Sequence, residues 1–469
     1  MTIFCLSALA GIGLARKTSL EANLWLYLLL PLLLLLKNRN IAFLAAVIAC
    51  GTGIGLWRGS AYMQNIYQLK DLTGQKVTIE TTATTDSIYS KGSQILFTGN
   101  KIELLEPSVK PLGGSFKISG FGEQMVYRGD QLRVSGKLYP MRGSNQGRVA
   151  YAQLEKLNGS SSYINDLTHN FNAGMQNALP EPAASFGLGL LIGQRSTLPQ
   201  QITAALTAVG LVHIVAVSGY NLTIIIRGVG RLRLGSKYQK LVLSLALIAG
   251  FVLVTGFSAS IVRAALVSSL GLWAWFYGRK FKPLLLISLA AAITSLWNPF
   301  YVWGDLSWYL SFLAFFGVLV IAPVISARFF RSQPKLLTMV LTETLSAELM
   351  TLPLILMTFS QLSIIALVAN VLVVPLVPVA MLLSAAAGLA GMLAPQLAGW
   401  IALPAKLLLT YMLDIVHLLS TIPSVLVHRS ISAAYMLGLY AAVIILVLMF
   451  YKRLANKPIM NVEDSPITP

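Results

Sequence analysis

The densest set of polar side chains inside an apolar stretch is Leu206-Thr-Ala-Val-Gly-Leu-Val-His213-Ile-Val-Ala-Val-Ser218-Gly219-Tyr220-Asn221. An imidazole, a hydroxyl and a carboxamide within an oily run are costly in hydrocarbon unless they are hydrogen-bonded. Such groups face a protein interior or a water-filled path. The plainer alternative makes Ser218-Gly219 a close helix-packing point and His213 a satisfied interior residue. A second set is charged or polar at membrane depth: Arg263, Asp305, Ser311, Glu343, Glu348, Thr351 and Asn370. Intramembrane charge marks a functional site by default. Internal pairing, for instance of Arg263 with Asp305 or Glu348, is the structural alternative. The two readings are compatible, because paired charges can line a pore. His213, Ser218, Gly219, Asn221, Arg263, Asp305, Ser311, Glu348, Thr351 and Asn370 are therefore the candidate lining of a hydrated path.

Other chemistry fits poorly. His213 and Ser218 are five residues apart, whereas neighbours on one helical face are three or four apart, so a Ser/His hydrolase is disfavoured. The four histidines, His169, His213, His417 and His428, include no i, i+4 pair and no Cys/His cluster, so no metal site is expected. No Gly-Lys-Ser/Thr phosphate loop occurs, and neither ATP nor any other cofactor is expected.

The elements that must carry these residues are membrane helices. Of the 469 residues 56% are hydrophobic and 11% charged, against about 25% charged in soluble domains. Runs approaching the ~20 apolar residues of a spanning helix include Leu241–Val254, Pro283–Leu296 and Ile431–Tyr451. Three apolar runs open the chain: Thr2–Leu14, Leu24–Leu36 and Ile41–Trp57. Cys5 and Cys50 lie in such runs, so they read as buried, inert thiols.

Composition changes at about Ile66. As far as Ser160 the text is polar and alternates with period two in five short runs, starting at Lys76, Gln94, Gly114, Gln131 and Val149 and separated by Gly/Asn/Pro clusters such as Gly99-Asn100. This predicts a small β-barrel or sandwich, and a five-stranded barrel of this size suits an OB-fold. Its aromatics sit among cations: Phe97, Phe116, Lys117, Tyr127, Arg128, Arg133, Arg148 and Tyr151. OB-folds hold single strands by stacking bases on aromatics beside a basic groove, at about 1–3 kcal/mol per base. The alternative puts half of these aromatics in the barrel core.

The fold class expected is thus a polytopic α-helical membrane protein with an inserted extracytoplasmic all-β domain. The predicted layout is membrane helices over 1–60, the β domain over 61–160, an amphipathic linker over 161–182, a helical channel domain of about nine or ten segments over 183–451, and a disordered tail over 452–469. Ala183–Gly193 and Leu198–Gly210 are short for spans and suggest a re-entrant hairpin. Leu362–Ala394, with Asn370 and Val373-Val-Pro-Leu-Val-Pro, suggests a broken helix.

The net charge is +18, of which +4 falls between Ile66 and Ser160. The remainder collects in loops: Arg227 to Lys240, Tyr277–Lys282 and Ala327–Lys335. Two apolar runs separate each loop from the next, so all three share one face, which the excess of Lys and Arg makes cytoplasmic. Lys452, Arg453 and Lys457 put the C-terminus there too, and the β domain falls outside. Arg16 and Lys17 run against this assignment.

Ile192-Gly-Gln-Arg195-Ser-Thr-Leu198, followed by Leu206 to Asn221, resembles the core signature of the ComEC-type competence protein family. Three further stretches match its order and spacing: Thr255 to Ala264, Trp297-Asn-Pro299 with Asp305 to Ala314, and Glu348 to Pro353 with Asn370 to Pro375. The resemblance covers about Met1 to Tyr451 and implies a channel that passes one DNA strand into the cytoplasm during natural transformation. Tyr220-Asn221 replaces the Leu-His of the family motif, removing any role for that second His. The His-x-His-x-Asp-His cluster of the family's metallo-β-lactamase-like domain is missing from this sequence, so a separate nuclease is implied. Implied partners are single-stranded DNA, the bilayer, an external DNA receptor, and a cytoplasmic helicase or strand-binding protein. The rivals are a secondary transporter with a midplane site and a membrane hydrolase using Ser218.

Overall fold

The computed structural model describes residues 1–17, 39–90, 94–112, 114–121, 126–140, 145–159, 163–194, 198–215, 222, 226, 228–230, 236–255, 259–279, 282–330 and 336–455. Among them seven helices are long and apolar enough to cross a bilayer: Asn40–Met63, Lys237–Thr255, Leu306–Phe329, Thr338–Phe359, Ala366–Leu393, Leu403–Ser420 and Ala433–Phe450. The chain is a polytopic helical membrane protein with an inserted β region. It divides into two compact units, Met1–Asn165 with Leu284–Tyr309, and Asp166–Pro283 with Leu310–Pro469.

The first unit begins with a helix pair, Thr2–Ala15 and Arg39–Asp71. Gly51, Gly55 and Gly59 recur every fourth residue along the second helix; the first two meet the opening helix backbone to backbone, and Gly59 meets the Ala15 methyl. A Cβ on Gly55 would lie 2.1 Å from the Ala8 carbonyl oxygen, and one on Gly11 would lie 2.2 Å from that of Thr52. In lipid, where helices gain little from mutual apolar burial, such small-residue stripes let backbones approach and pack. The helix Pro283–Trp297 joins this pair. Arg58 donates from Nε to the Leu296 carbonyl (2.8 Å) and from Nη2 to that of Trp297 (3.1 Å), satisfying the helix's terminal acceptors. Trp303 donates its indole N–H to the Ile12 carbonyl at 2.7 Å. The run Leu24–Leu36 lies outside the described residues.

The β region holds seven described strands rather than five. They are β1 (Lys76–Ala83), β2 (Ile88–Ser90), β3 (Gln94–Glu106), β4 (Lys110–Leu112), β5 (Phe116–Phe121), β6 (Gln131–Pro140) and β7 (Gly147–Asn158). The five long ones are those that alternation predicts, and short β2 and β4 both hang on β3. The long strands close a ring, β1-β3-β5-β7-β6-β1, in which only β5–β7 is parallel. Alternating residues such as Val77, Ile79, Ile95, Phe97, Phe116 and Ile118 fill the inside. Gly99-Asn100, read from sequence as a turn, is instead a corner within β3. Gly99 pairs with Phe116 on β5 and with Ala83 on β1, so one strand serves two walls. A Cβ on Gly99 would sit 2.2 Å from Thr81 Oγ1, which is why the corner takes glycine.

In the second unit, the short helices Ala183–Ile192 and Gln200–Ala208 pack with Ala366–Val373, Val377–Leu393 and Leu403–Ser420 around one apolar core. At about 15 and 14 Å of rise, neither of the first two reaches across a bilayer. Val374–Leu376 is a 3-10 turn that breaks the 366–393 segment where Pro375 stands, as the sequence suggested. Tyr163–Ala178 is a helix whose Met175 and Ala178 enter the core and whose Gly174 meets Gly388 and Gly391 of Val377–Leu393 backbone to backbone. The last helix runs to Ala455, and the remainder of the predicted tail lies outside the described residues.

Gly55→Ala is expected to destabilise the first unit by about 1–3 kcal/mol through overpacking. Gly250→Ala has nothing within 4 Å of the added methyl and is expected to stabilise its helix by up to about 1 kcal/mol. Thermal unfolding of the detergent-solubilised protein checks both signs.

Candidate functional site: a polar seam between interrupted helices

Helix Leu336–Phe359 carries many hydroxyls, and most are satisfied on their own helix. Thr342 donates to the Thr338 carbonyl, Thr344 to Val340, Ser346 to Thr342 and Thr358 to Leu354, all at 2.7–2.8 Å. This i−4 bonding explains how a polar sequence forms a membrane helix. Glu348 has no such local donor. It reaches another helix, where Asn370 donates from Nδ2 to Glu348 Oε2 at 3.0 Å. Asn370 is 3% exposed, and its Oδ1 is buried without a hydrogen-bond partner among the described residues.

The backbone is interrupted on both sides of this contact. Pro353 lies inside helix Leu336–Phe359 and withholds an N–H from it. Thr351 Oγ1 bonds the carbonyls of Ala347 (3.1 Å) and Glu348 (3.3 Å), and Tyr440 donates its hydroxyl to the Met350 carbonyl at 3.0 Å. Asn370 is four residues ahead of the 3-10 turn at Val374–Leu376. On the other flank, Gly317 opens a π-helical turn, Gly317–Ile321, and a Cβ there would be 2.4 Å from the Ser346 carbonyl oxygen. Glu348, Thr351 and Asn370 thus sit together where three helical ladders depart from regular α geometry. Irregular backbone at membrane depth is tolerated where protein buries it or a wet cavity borders it.

The other predicted residues are placed as follows. Ser218, Gly219 and Asn221 lie outside the described residues. His213 is exposed, and its Nδ1 is 3.0 Å from the Gly210 carbonyl. A carbonyl only accepts, so Nδ1 carries the proton and Nε2 is the acceptor of the neutral ring. Arg263, on helix Ala259–Phe276, is 1% exposed and is among the largest fully buried side chains. Ser311 is half-buried on helix Leu306–Phe316. Asp305 receives a structural explanation: its Oδ1 accepts from the backbone N–H of Ser307 (2.9 Å) and Trp308 (3.4 Å), capping that helix. The cap gives Asp305 a structural role beside its candidate place in the path.

In the β region, Phe97 and Phe116 are 2% and 0% exposed. Their assignment as stacking residues is corrected, since alternation turns both into the barrel. Arg133 is engaged with Glu80 (2.9 Å) and Glu155 (3.5 Å), and the bond from Glu80 raises its pKa above the ordinary guanidinium value. Burial lowers that of Arg128, with Asp86 opposing. Tyr127 lies under the Lys156 ammonium, 5.8 Å from its ring centre, and Lys156 also pairs with Asp130 at 2.8 Å. Lys117 and Arg148 are partners across the parallel β5–β7 pair, with Tyr139 of β6 beside Arg148. Tyr151 (68%) and Phe121 (50%) are exposed on the same two strands. Phe121 was missed in the sequence, although Lys117-Ile-Ser-Gly-Phe121 places it on the Lys117 face by the period of two.

Asn370→Ala is expected to cost about 1–3 kcal/mol, because it leaves the half-buried Glu348 carboxyl without its donor. Glu348→Gln keeps a partner for Asn370 and is expected to cost less. Unfolding midpoints of the two variants in detergent decide between these outcomes.

Comparison with known proteins gives two findings. The competence protein family matches residues 190–453, the stretch that holds Glu348 and Asn370. ComE operon protein 3 of Bacillus subtilis (strain 168) is 24% identical over 405 residues, covering 81% of this chain and 50% of the relative. The chain therefore spans about half the length of that curated relative. No solved structure matches. With more than half of its residues matched, and with polar residues of the matched stretch meeting at interrupted membrane helices, the chain belongs to the competence protein family.

Proposed function

We propose that this chain forms the membrane path by which one strand of DNA enters the cytoplasm during natural transformation. The observation that carries this reading is the family match over 190–453, a stretch whose helices keep Arg263, Glu348 and Asn370 at membrane depth. These residues, with Thr351, His213, Ser218, Gly219, Asn221 and Ser311, are the proposed lining. Hydrogen-bonding groups and a cation suit a hydrated anionic strand. On this reading the chain is a conduit rather than an enzyme. Driving force and strand degradation come from other proteins: an external DNA receptor, a separate nuclease, and a helicase or strand-binding protein inside.

The β region is proposed to be an OB-fold facing outward, with the basic loops and the C-terminus in the cytoplasm. A closed five-strand ring with one parallel closure supports this, because OB-folds are five-stranded Greek-key barrels that bind oligonucleotides. Its strand-contacting face is proposed to be the outer surface of β5 and β7, whose strands carry Lys117 and Arg148 along with the exposed rings of Phe121 and Tyr151.

In a strain lacking the chain, fluorescent DNA is expected to bind the cell surface without entering the cytoplasm, and transformants to fall to background. Unchanged entry would overturn the proposal. For the β region, the full-length protein in detergent is titrated with a labelled oligonucleotide at several salt concentrations. Lys117→Ala with Arg148→Ala is expected to weaken binding and to flatten the log–log salt dependence by about 0.7 per charge removed. An unchanged slope would place DNA elsewhere.

A further inference from the structure

Glu348 stands ten residues from Thr338 and eleven from Phe359, the ends of a candidate membrane span. By the helical rise it is about 15 Å from either end, too deep for a glutamate to reach headgroups. Its side chain is half-buried. Among the described residues its one hydrogen-bond partner is Asn370, and it takes part in no ion pair. Asn370 is a neutral amide and does not offset a negative charge. The elements packed against helix Leu336–Phe359 are Gly317–Ile321, Ala322–Phe329, Gln361–Ser363, Ala366–Val373, Val374–Leu376 and Ala433–Ala455. Their charged or titratable residues are few. Arg328 is exposed at the end of its helix, 5.8 Å from the Phe329 ring centre. Tyr440 donates to the Met350 carbonyl, Tyr435 is exposed, and Tyr451-Lys452-Arg453 lies near the end of the last helix. On the helix of Glu348 itself, Glu343 is five residues back and so on another face.

A carboxylate at that depth without a cation is costly, and an acid so placed sheds its charge by holding a proton. The carboxamide beside it points the same way. A carboxylic acid and a carboxamide pair through two hydrogen bonds. The amide N–H donates to the acid carbonyl, and the acid O–H donates to the amide carbonyl. The first of these is present, from Asn370 Nδ2 to Glu348 Oε2 at 3.0 Å. The acceptor of the second, Asn370 Oδ1, is buried with no partner among the described residues. An ionised Glu348 has nothing to give it, since a carboxylate only accepts. A protonated Glu348 supplies the missing donor and loses its charge in the same step. A metal ion fits less well. The pair has two oxygens left, one on each residue, whereas Ca²⁺ or Mg²⁺ takes six or more ligands.

We propose that Glu348 and Asn370 form an intramembrane binding site for one proton, which fastens helix Leu336–Phe359 to Ala366–Val373. The proton arrives as hydronium at the accessible side of the half-buried carboxyl, forms the O–H bond of Glu348 and leaves water behind. Its loss returns a carboxylate beside an orphaned carbonyl oxygen, and one of the two bonds between the interrupted helices is gone. The site is a property of the bundle, whatever the bundle conducts.

The test compares infrared spectra of the full-length protein and its Glu348→Gln variant in detergent at about pH 7, where an ordinary carboxyl is ionised. The glutamine keeps both bonds to Asn370 and so imitates the protonated state. The difference spectrum is expected to contain the carbonyl band of a neutral carboxylic acid, lost in the variant. Carboxylate stretches in its place would overturn the proposal. Asn370→Leu is expected to shift or abolish the band, and an unmoved band would overturn the pairing. A further measurement needs no variant and stands even where these fail to fold. A hydrophobic carbodiimide adds across the O–H of a neutral acid, its nitrogen taking the proton and its central carbon the carboxyl oxygen. The peptide carrying Glu348 is expected to gain the reagent's mass at about pH 7; a gain at about pH 5 alone would overturn the site. None of these readouts involves DNA, so the proton site and the uptake reading can fail separately.

Discussion

A carboxylate or carboxamide placed in hydrocarbon has no water to accept its hydrogen bonds, so the surrounding protein must supply the partner. That constraint orders the bundle around residue 348. The hydroxyls of Thr342, Thr344, Ser346 and Thr358 meet it on their own helix, one turn back. Glu348 is answered by Asn370 from another segment, and the carbonyl of Met350, near the break at Pro353, by Tyr440. The last two bonds join this helix to other segments within a few residues of a helix interruption. The interruptions and the polar residues are one feature, and the match of this stretch to the competence protein family puts that feature within the part of the chain the family shares.

The second constraint is steric. Where apolar surfaces gain little from each other, contact depends on how closely backbones approach. Gly11, Gly51 and Gly55 in the first unit, and Gly174 and Gly391 in the second, each have another backbone where a methyl would stand, and at Gly388 the Phe171 ring takes that place. These positions tolerate no side chain, whereas Gly250, Gly399 and Gly438 face open space.

Much of this was legible in the sequence because its causes are local. Period-two alternation located all five long strands, and the Pro-bearing run after Asn370 announced the broken helix. The rest depends on what lies across from a residue. Alternation alone did not say which face of β3 or β5 points inward, so Phe97 and Phe116 were read as available rings although both fill the barrel. Gly99 reads as a turn until its two partner strands are known. Asp305 reads as an intramembrane charge until the two N–H groups that it caps are seen. The Gly51-x3-Gly55-x3-Gly59 repeat was in the text, and its spacing was the available sign of the helix pair.

The first unit is discontinuous along the chain. Its opening helices are tied by Arg58 and Ile12 to the segment Pro283–Gly304, which leaves the ribosome only after residues 166–283 have been made. At typical elongation speeds that interval is roughly ten seconds. For that time the Arg58 guanidinium has none of the carbonyls it will later hold. The opening helix pair and its barrel must therefore persist as a partial assembly during insertion, and a truncation before residue 283 would leave that assembly unfinished.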